Sequence, residues 1–145
     1  MGLFDALNTS ASGLSAQRLR MNLISANLAN VNTTRTESGG PYQRKEPVFA
    51  AQPENGSFQH VLNSELSADL TSVQVVDIVP DNRPPILKYD PDHPDADDKG
   101  YVAMPNIQVV EEMVNMMSAS RSYEANVSAI KTIKDMVLKA MEIGR

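Results

Sequence analysis

Five carboxylates fall within nine positions, at Asp90, Asp92, Asp95, Asp97 and Asp98, and make the densest group of potential ligand atoms in the chain. Such a run beside a glycine invites comparison with a calcium loop, whose oxygen ligands sit at fixed positions and whose twelfth residue is a bidentate acid. The spacing fails that comparison. With Asp95 first, Asp97 is third and Gly100 sixth, but Lys99 falls fifth and Asn106 twelfth, so the segment is expected to be a solvated acidic loop without a metal. His60 and His93 are far apart, and neither has a second imidazole three or four residues away, so no helical metal pattern exists. Cysteine is absent, which removes thiolate zinc sites, a cysteine nucleophile and a disulfide framework. No serine stands in a nucleophile elbow, no glycine-rich loop is set to hold phosphate, and no carboxylate pair has the context of a glycosidase. The expectation is a non-enzymatic chain with no cofactor.

Charge and length narrow the classes further. The 145 residues suit one ordinary domain. A formal net charge of -5 leaves no basic field to neutralise phosphates, so nucleic acid is not an expected partner. No stretch approaches the ~18 apolar residues of a membrane span, so direct membrane insertion is not expected. The opening residues lack a basic leader followed by an apolar run, and Ala6 stands where a myristoylation signal would carry Ser or Thr. That fits a cytosolic chain or one exported without a cleaved signal peptide.

The elements that must position any site follow from proline and from apolar spacing. All nine prolines lie between Pro41 and Pro105, leaving two proline-free ends. In the first end, Leu7, Leu14, Met21 and Leu28 recur every seven residues, with Phe4, Ala11, Arg18 and Ser25 in the alternate seam position. Gly13 weakens this helix near its middle, and Asn30, Asn32, Thr33 and Thr34 stop it. In the second end, Val109, Met116, Tyr123, Ile130 and Val137 keep the same spacing, alternating with Met113, Ser120, Val127, Lys134 and Met141. Pro105 and Asn106 mark its start, with Asn106 as N-cap, and Gly144 marks its end. Val110, Val114 and Met117 add a second apolar strip, more than one intramolecular partner would cover.

Between the ends, Val73 to Val79 alternates as a strand does, and shorter strands are expected around Val48 and Phe49, Phe58 to Leu62, and Ile86 to Tyr89. Tyr42, Phe49, Phe58, Tyr89 and Tyr101 could seed a small β core. The expected fold class is α+β: long N- and C-terminal helices paired in a coiled-coil-like arrangement, with a small β-rich middle module. Its parts are a first helical segment at 1–34, the middle module at 35–104 and a second helical segment at 105–145.

Several stretches also resemble a known family. Leu14-Ser-Ala-Gln-Arg18 and Ala26-Asn-Leu-Ala-Asn-Val-Asn-Thr33 resemble the N-terminal signature of flagellar rod, hook and hook-associated axial proteins. Gly39-Gly-Pro-Tyr-Gln-Arg-Lys45, Gly100-Tyr-Val-Ala-Met-Pro-Asn106, Glu111-Glu-Met-Val-Asn-Met116 and Ser118-Ala-Ser-Arg-Ser-Tyr-Glu-Ala-Asn126 are similar to the C-type proximal-rod members of that family. The likeness covers 1–49 and 86–145, while 50–81 is of a kind that varies. On this resemblance Asn27, Asn30, Asn32, Thr33, Tyr42, Gly100, Tyr101, Pro105, Asn106, Arg121, Glu124 and Asn126 are family-motif positions. The resemblance implies a structural subunit of a periplasm-spanning shaft that transmits torque around an open export channel. It implies copies of this chain, other proximal-rod subunits, the rod-to-ring adaptor and the distal rod as partners, with the flagellar type III export apparatus during secretion. Another rod or hook subunit, and a cytosolic helical adaptor or chaperone, are the alternatives left standing by the residues.

Overall fold

Heptad spacing at the two ends becomes a pair of long helices in the computed structural model, which describes residues 3–37, 39–52 and 72–143. Helix α1 spans Leu3–Ala29 and helix α2 spans Val109–Ile143, the latter about 52 Å long at ~1.5 Å per residue. Two contacts fix their direction. Asn27 Nδ2 donates to Glu112 Oε2 at 3.2 Å, and a Cβ on Gly13 would come within 2.9 Å of Asn126 Nδ2. Asn27 back to Gly13 is fourteen residues, as is Glu112 on to Asn126, so the helices run antiparallel in one register for two heptads.

Small side chains permit that closeness. Ala16 and Ala119 are fully buried, and Gly13 leaves room for the Asn126 amide. The helix-weakening glycine is therefore a packing residue. The same preference shifts the seams from their expected phase. On α1, Leu7, Leu14, Met21 and Leu28 are half-buried along one flank, whereas Phe4, Ala11, Arg18 and Ser25 face outward and Ala16, Ile24 and Asn27 face inward. On α2 the buried line runs through Glu112, Ala119 and Ile133, with Met116, Tyr123, Asn126, Ile130 and Val137 half-buried beside it. The expected alternate series is thus displaced by one residue. Met113 and Met141 project outward, as does Val109, while Val127 is half-buried.

Among the described residues, the middle of the chain forms two antiparallel strand pairs. Strand β1 (Lys45–Gln52) pairs with β2 (Ser72–Pro80), with a bulge between Val48 and Phe49, and β3 (Ile86–Tyr89) pairs with β4 (Tyr101–Met104). The first sheet lies along α1: Lys45 is bonded to Asn27 at one end, and Ser12 Oγ accepts from Val73 N–H at 3.1 Å near the other. Fifteen helical residues and six strand residues both cover roughly 20 Å, so the strand runs back beside the helix. The expected strand at Phe58 to Leu62 and the helix stop at Gly144 lie outside the described residues.

An aromatic β core does not form among the described residues. Tyr89 and Tyr101 meet edge to face at 5.3 Å on a cross-strand pair, but both are exposed, as is Phe49. Two-stranded sheets have too little area to enclose rings between them. The core instead gathers where β4 feeds α2, at Val102, Pro105 and Ile107. That feed also overturns the expected N-cap. Ile107 N–H turns back to the Pro105 carbonyl at 2.9 Å, α2 starts only at Val109, and Asn106 Nδ2 reaches the Pro84 carbonyl at 3.2 Å instead of capping.

The acidic loop between β3 and β4 uses its carboxylates to hold its own backbone. Asp97 Oδ1 accepts from the N–H groups of Lys99 and Tyr101 at 2.9 and 2.8 Å, and Asp95 Oδ2 accepts from the Thr34 hydroxyl at 2.8 Å. Gly100 closes the loop with φ +79°, where an added Cβ would lie 3.0 Å from Tyr89 Cε2 and 3.2 Å from Pro91 Cβ. Gly100→Ala should therefore cost about 1–2 kcal/mol from the left-handed backbone, with the ring contact adding to it. Chemical denaturation of the two proteins measures this, and equal midpoints would refute the strain argument.

Candidate functional site

The most constrained polar cluster joins three segments that are remote in sequence. α1 delivers Asn27 from its last turn, the chain entering β1 delivers Tyr42 and Arg44, and α2 delivers Glu112 from its first turn. Glu112 and Asn27 are each 1% exposed. Arg44 Nε and its NH2 group lie 2.8 and 2.7 Å from Glu112 Oε1, while Asn27 Nδ2 occupies Glu112 Oε2. Both carboxylate oxygens are thus engaged. Arg44 also pairs with Glu46, and its carbonyl accepts from Asp81 N–H at 2.7 Å at the end of β2.

Asn27 is satisfied on every side. Its Nδ2 donates to the Lys45 carbonyl at 3.0 Å as well as to Glu112, and its Oδ1 accepts from Lys45 N–H at 2.9 Å and Tyr42 O–H at 3.1 Å. Two donor hydrogens and two lone pairs are an amide's whole capacity. The side chain therefore pairs with the Lys45 backbone as a strand would, anchoring β1 to α1. Asn27 does not turn onto local backbone as α1 ends. Asn30 does so, donating from Nδ2 to the Ala26 carbonyl at 2.8 Å, and Thr33 donates to Asn30 Oδ1 at 3.1 Å. Local ending and long-range anchoring are divided between neighbouring asparagines.

Burial, followed by the nearby Glu112 charge, raises the Tyr42 pKa above its ordinary 10.0. The neutral phenol is the form the fold favours. Its contribution is complete below pH 10.0 and is lost as pH climbs from there through the higher folded value. Tyr42→Phe should lose about 1 kcal/mol at neutral pH with its hydrogen bond, and the gap should narrow in strong alkali. Denaturation at a series of alkaline pH values measures it, and a constant gap would count against the assignment.

The remaining expected positions are dispersed. Gly100 and Tyr101 shape the second strand pair, Pro105 is buried beside it, and Asn106 ties it to Pro84. Asn126 fills the space over Gly13. Asn32, Arg121 and Glu124 are exposed. Arg44 and Glu112, the cluster's charged pair, were not singled out, although both lie inside motif stretches. Their hint was composition: a lone arginine and a second glutamate, each beside a like-charged neighbour, Lys45 and Glu111, that could have served at the surface alone. Chemically the cluster is a fastener. Its carboxylate is filled by fixed donors, and its role is to hold the end of α1, the start of β1 and the start of α2 in one arrangement.

Around it the surface is unusually apolar. Nineteen large hydrophobic side chains are exposed among the described residues, against six hydrophobic residues in the core. No helix is long and apolar enough to cross a membrane among the described residues.

Comparison with known proteins agrees with both ends of the chain. Residues 7–35 match the family described as flagella basal body rod protein, and residues 98–143 match the C-terminal family of flagellar basal body rod FlgEFG proteins. The chain is 47% identical to the flagellar basal-body rod protein FlgC of Borreliella burgdorferi, over 99% of this chain and 98% of that one. It is 44% identical to FlgC of Bacillus subtilis and 41% identical to FlgC of Escherichia coli O157:H7, in both cases over the full length of each chain.

Proposed function

This chain belongs to the flagellar basal-body rod protein family, and we propose that it is a structural subunit of the proximal rod, assembling through its terminal helices into a hollow shaft. The observation that carries the reading is end-to-end similarity to rod proteins in a chain whose paired helices leave apolar faces open. Such faces are what a subunit must keep for its neighbours. The shaft transmits torque mechanically and leaves a channel for exported protein. Catalysis has no part in this role, and the Glu112 carboxylate is used for fastening.

The partners are other rod components. Specifically they are further copies, the other proximal-rod subunits, the rod-to-ring adaptor and the distal rod, and the flagellar type III apparatus exports the chain. Many distributed contacts suit a shaft loaded in torsion, because a single strong contact would concentrate the load.

The test is genetic and structural. Cells lacking the chain should stop before completing a rod, and a tagged copy should restore motility and purify with basal bodies. Normal rods in the deletion strain, or a tagged chain found only in the cytoplasm as an adaptor would be, overturns the reading.

A further inference from the structure

The outward face of α2 changes character along its length. Val110, Met113, Val114 and Met117 lie on one side, 74%, 53%, 54% and 56% exposed. Further along, that side becomes Arg121, Glu124, Ser128, Lys131 and Asp135, an ordinary solvated surface. On this side continuous apolar character occupies about 11 Å of helix axis at ~1.5 Å per residue, close to the breadth of a single helix, while Met136, Leu138 and Met141 are exposed nearer the end of α2. The strip is turned away from Glu112 and Ala119, which face α1, and both described β1 and β2 pack on α1.

The outward face of α1 is its counterpart. Ala11, Ser15, Asn22, Ser25 and Ala29 are exposed there, and Arg18 is the one charge among them. A solvated helix face is normally rich in charged residues, as Arg121, Glu124, Lys131 and Asp135 make the continuation of the α2 strip. Charge depletion marks surfaces that become interface cores, and short side chains let another helix come close. Arg18 faces outward from this α1 surface, and Glu111, within electrostatic reach of Arg83, stands exposed beside the α2 strip.

We infer that the Val110, Met113, Val114 and Met117 strip of one copy seats on the Ala11 to Ala29 face of a second copy, as a helix crossing rather than a lengthwise coil. The two faces belong to different helices of one chain and point away from each other, so they cannot satisfy one another internally. A contact between two different patches is heterologous, and where its rotation does not close it propagates as a helix of subunits. The inference rests on the rod reading and names the surfaces by which copies meet within it.

The absence of native cysteine makes the contact directly testable. Cells would make two single-cysteine chains together, Met113→Cys with Ser15→Cys, Asn22→Cys or Ser25→Cys in turn, and basal bodies would be isolated and oxidised. Met117→Cys with the same three partners is the second series, and all these positions are on the surface of α1 or α2, where folding should tolerate the change. At least one mixed pair should cross-link on the order of tenfold more than the same α1 variant with Lys131→Cys, because docking holds the sulfurs at high local concentration. Absence of mixed dimers with both chains present in the basal bodies overturns the contact. So does a Met113→Cys homodimer in their place, which would mean strip-to-strip pairing, or equal cross-linking from Lys131→Cys. Absence of both chains from basal bodies overturns the rod reading itself, and the contact with it.

Discussion

Glu112→Ala is expected to destabilise the folded chain by about 3 kcal/mol, because the Arg44 guanidinium loses its buried counter-charge and keeps only the exposed Glu46. Arg44 is 8% exposed and Glu112 1%, so water can screen neither charge effectively. Arg44→Ala should cost a similar amount for the mirrored reason. Much of each loss is the penalty on the stranded partner, so Arg44→Ala with Glu112→Ala should cost well under the sum of the single changes. Replacing both by methionine should recover part of the stability, since a packed apolar pair avoids desolvating two ions. Urea denaturation of the four proteins and the native chain measures the cycle. Strict additivity would show that the two side chains act independently, contrary to the 2.7–2.8 Å geometry between them.

The same pair marks a boundary of what the sequence makes legible. Helices at both ends follow from heptads alone, since apolar side chains recur in both. Strands at Val73 to Val79 and Ile86 to Tyr89 follow from alternation and the flanking prolines. The phase of the helix seam does not follow. Val109, Val110, Met113, Val114, Met116 and Met117 surround the first turns of α2, so spacing cannot choose which side meets α1. The side that does carries Glu112, Ala119 and Asn126, residues that hydropathy assigns to the surface or leaves unassigned. Close packing selected for small size, and the ion pair selected for a charge sixty-eight residues away. Neither preference is written in local periodicity.

Asn27 makes the same point from the other direction. Its place at the end of a helix and its neighbours Asn30 and Asn32 suggest local capping, which is what Asn30 performs. Asn27 lies in the last turn of α1 on the side that meets Lys45 and Glu112, whereas Asn30 lies past the end of the helix. The fold and the family could be read from the chain. The fastening cluster needed the third dimension, because its members are brought together only when both helices and β1 are in place.

Ile133→Asp is expected to abolish incorporation into rods while leaving secretion intact. Ile133 is buried on the side of α2 that faces α1. Extending the register set by Asn27 with Glu112 and Gly13 with Asn126 by one more heptad carries it to the level of Ala6. The nearest charge along α1 is Asp5, which would repel a new carboxylate. An aspartate there either ionises unpaired in an apolar seam or pulls the last turns of α2 into water, and either costs several kcal/mol by order of magnitude. Lys139→Gln, at an exposed position, should change stability by no more than about 0.5 kcal/mol and leave assembly alone. Export and assembly make different demands on this segment. A chain threaded through a narrow channel has no helix pair to disrupt, so secretion should continue. A subunit that must present α1 and α2 as one rigid unit cannot be built without their seam. The measurement is secreted chain in culture medium beside completed basal bodies counted in cells carrying each variant. Motile cells with normal rods and Ile133→Asp would mean that the paired helices are not the unit the rod is made from, and loss of secretion would mean that the seam is already needed for export.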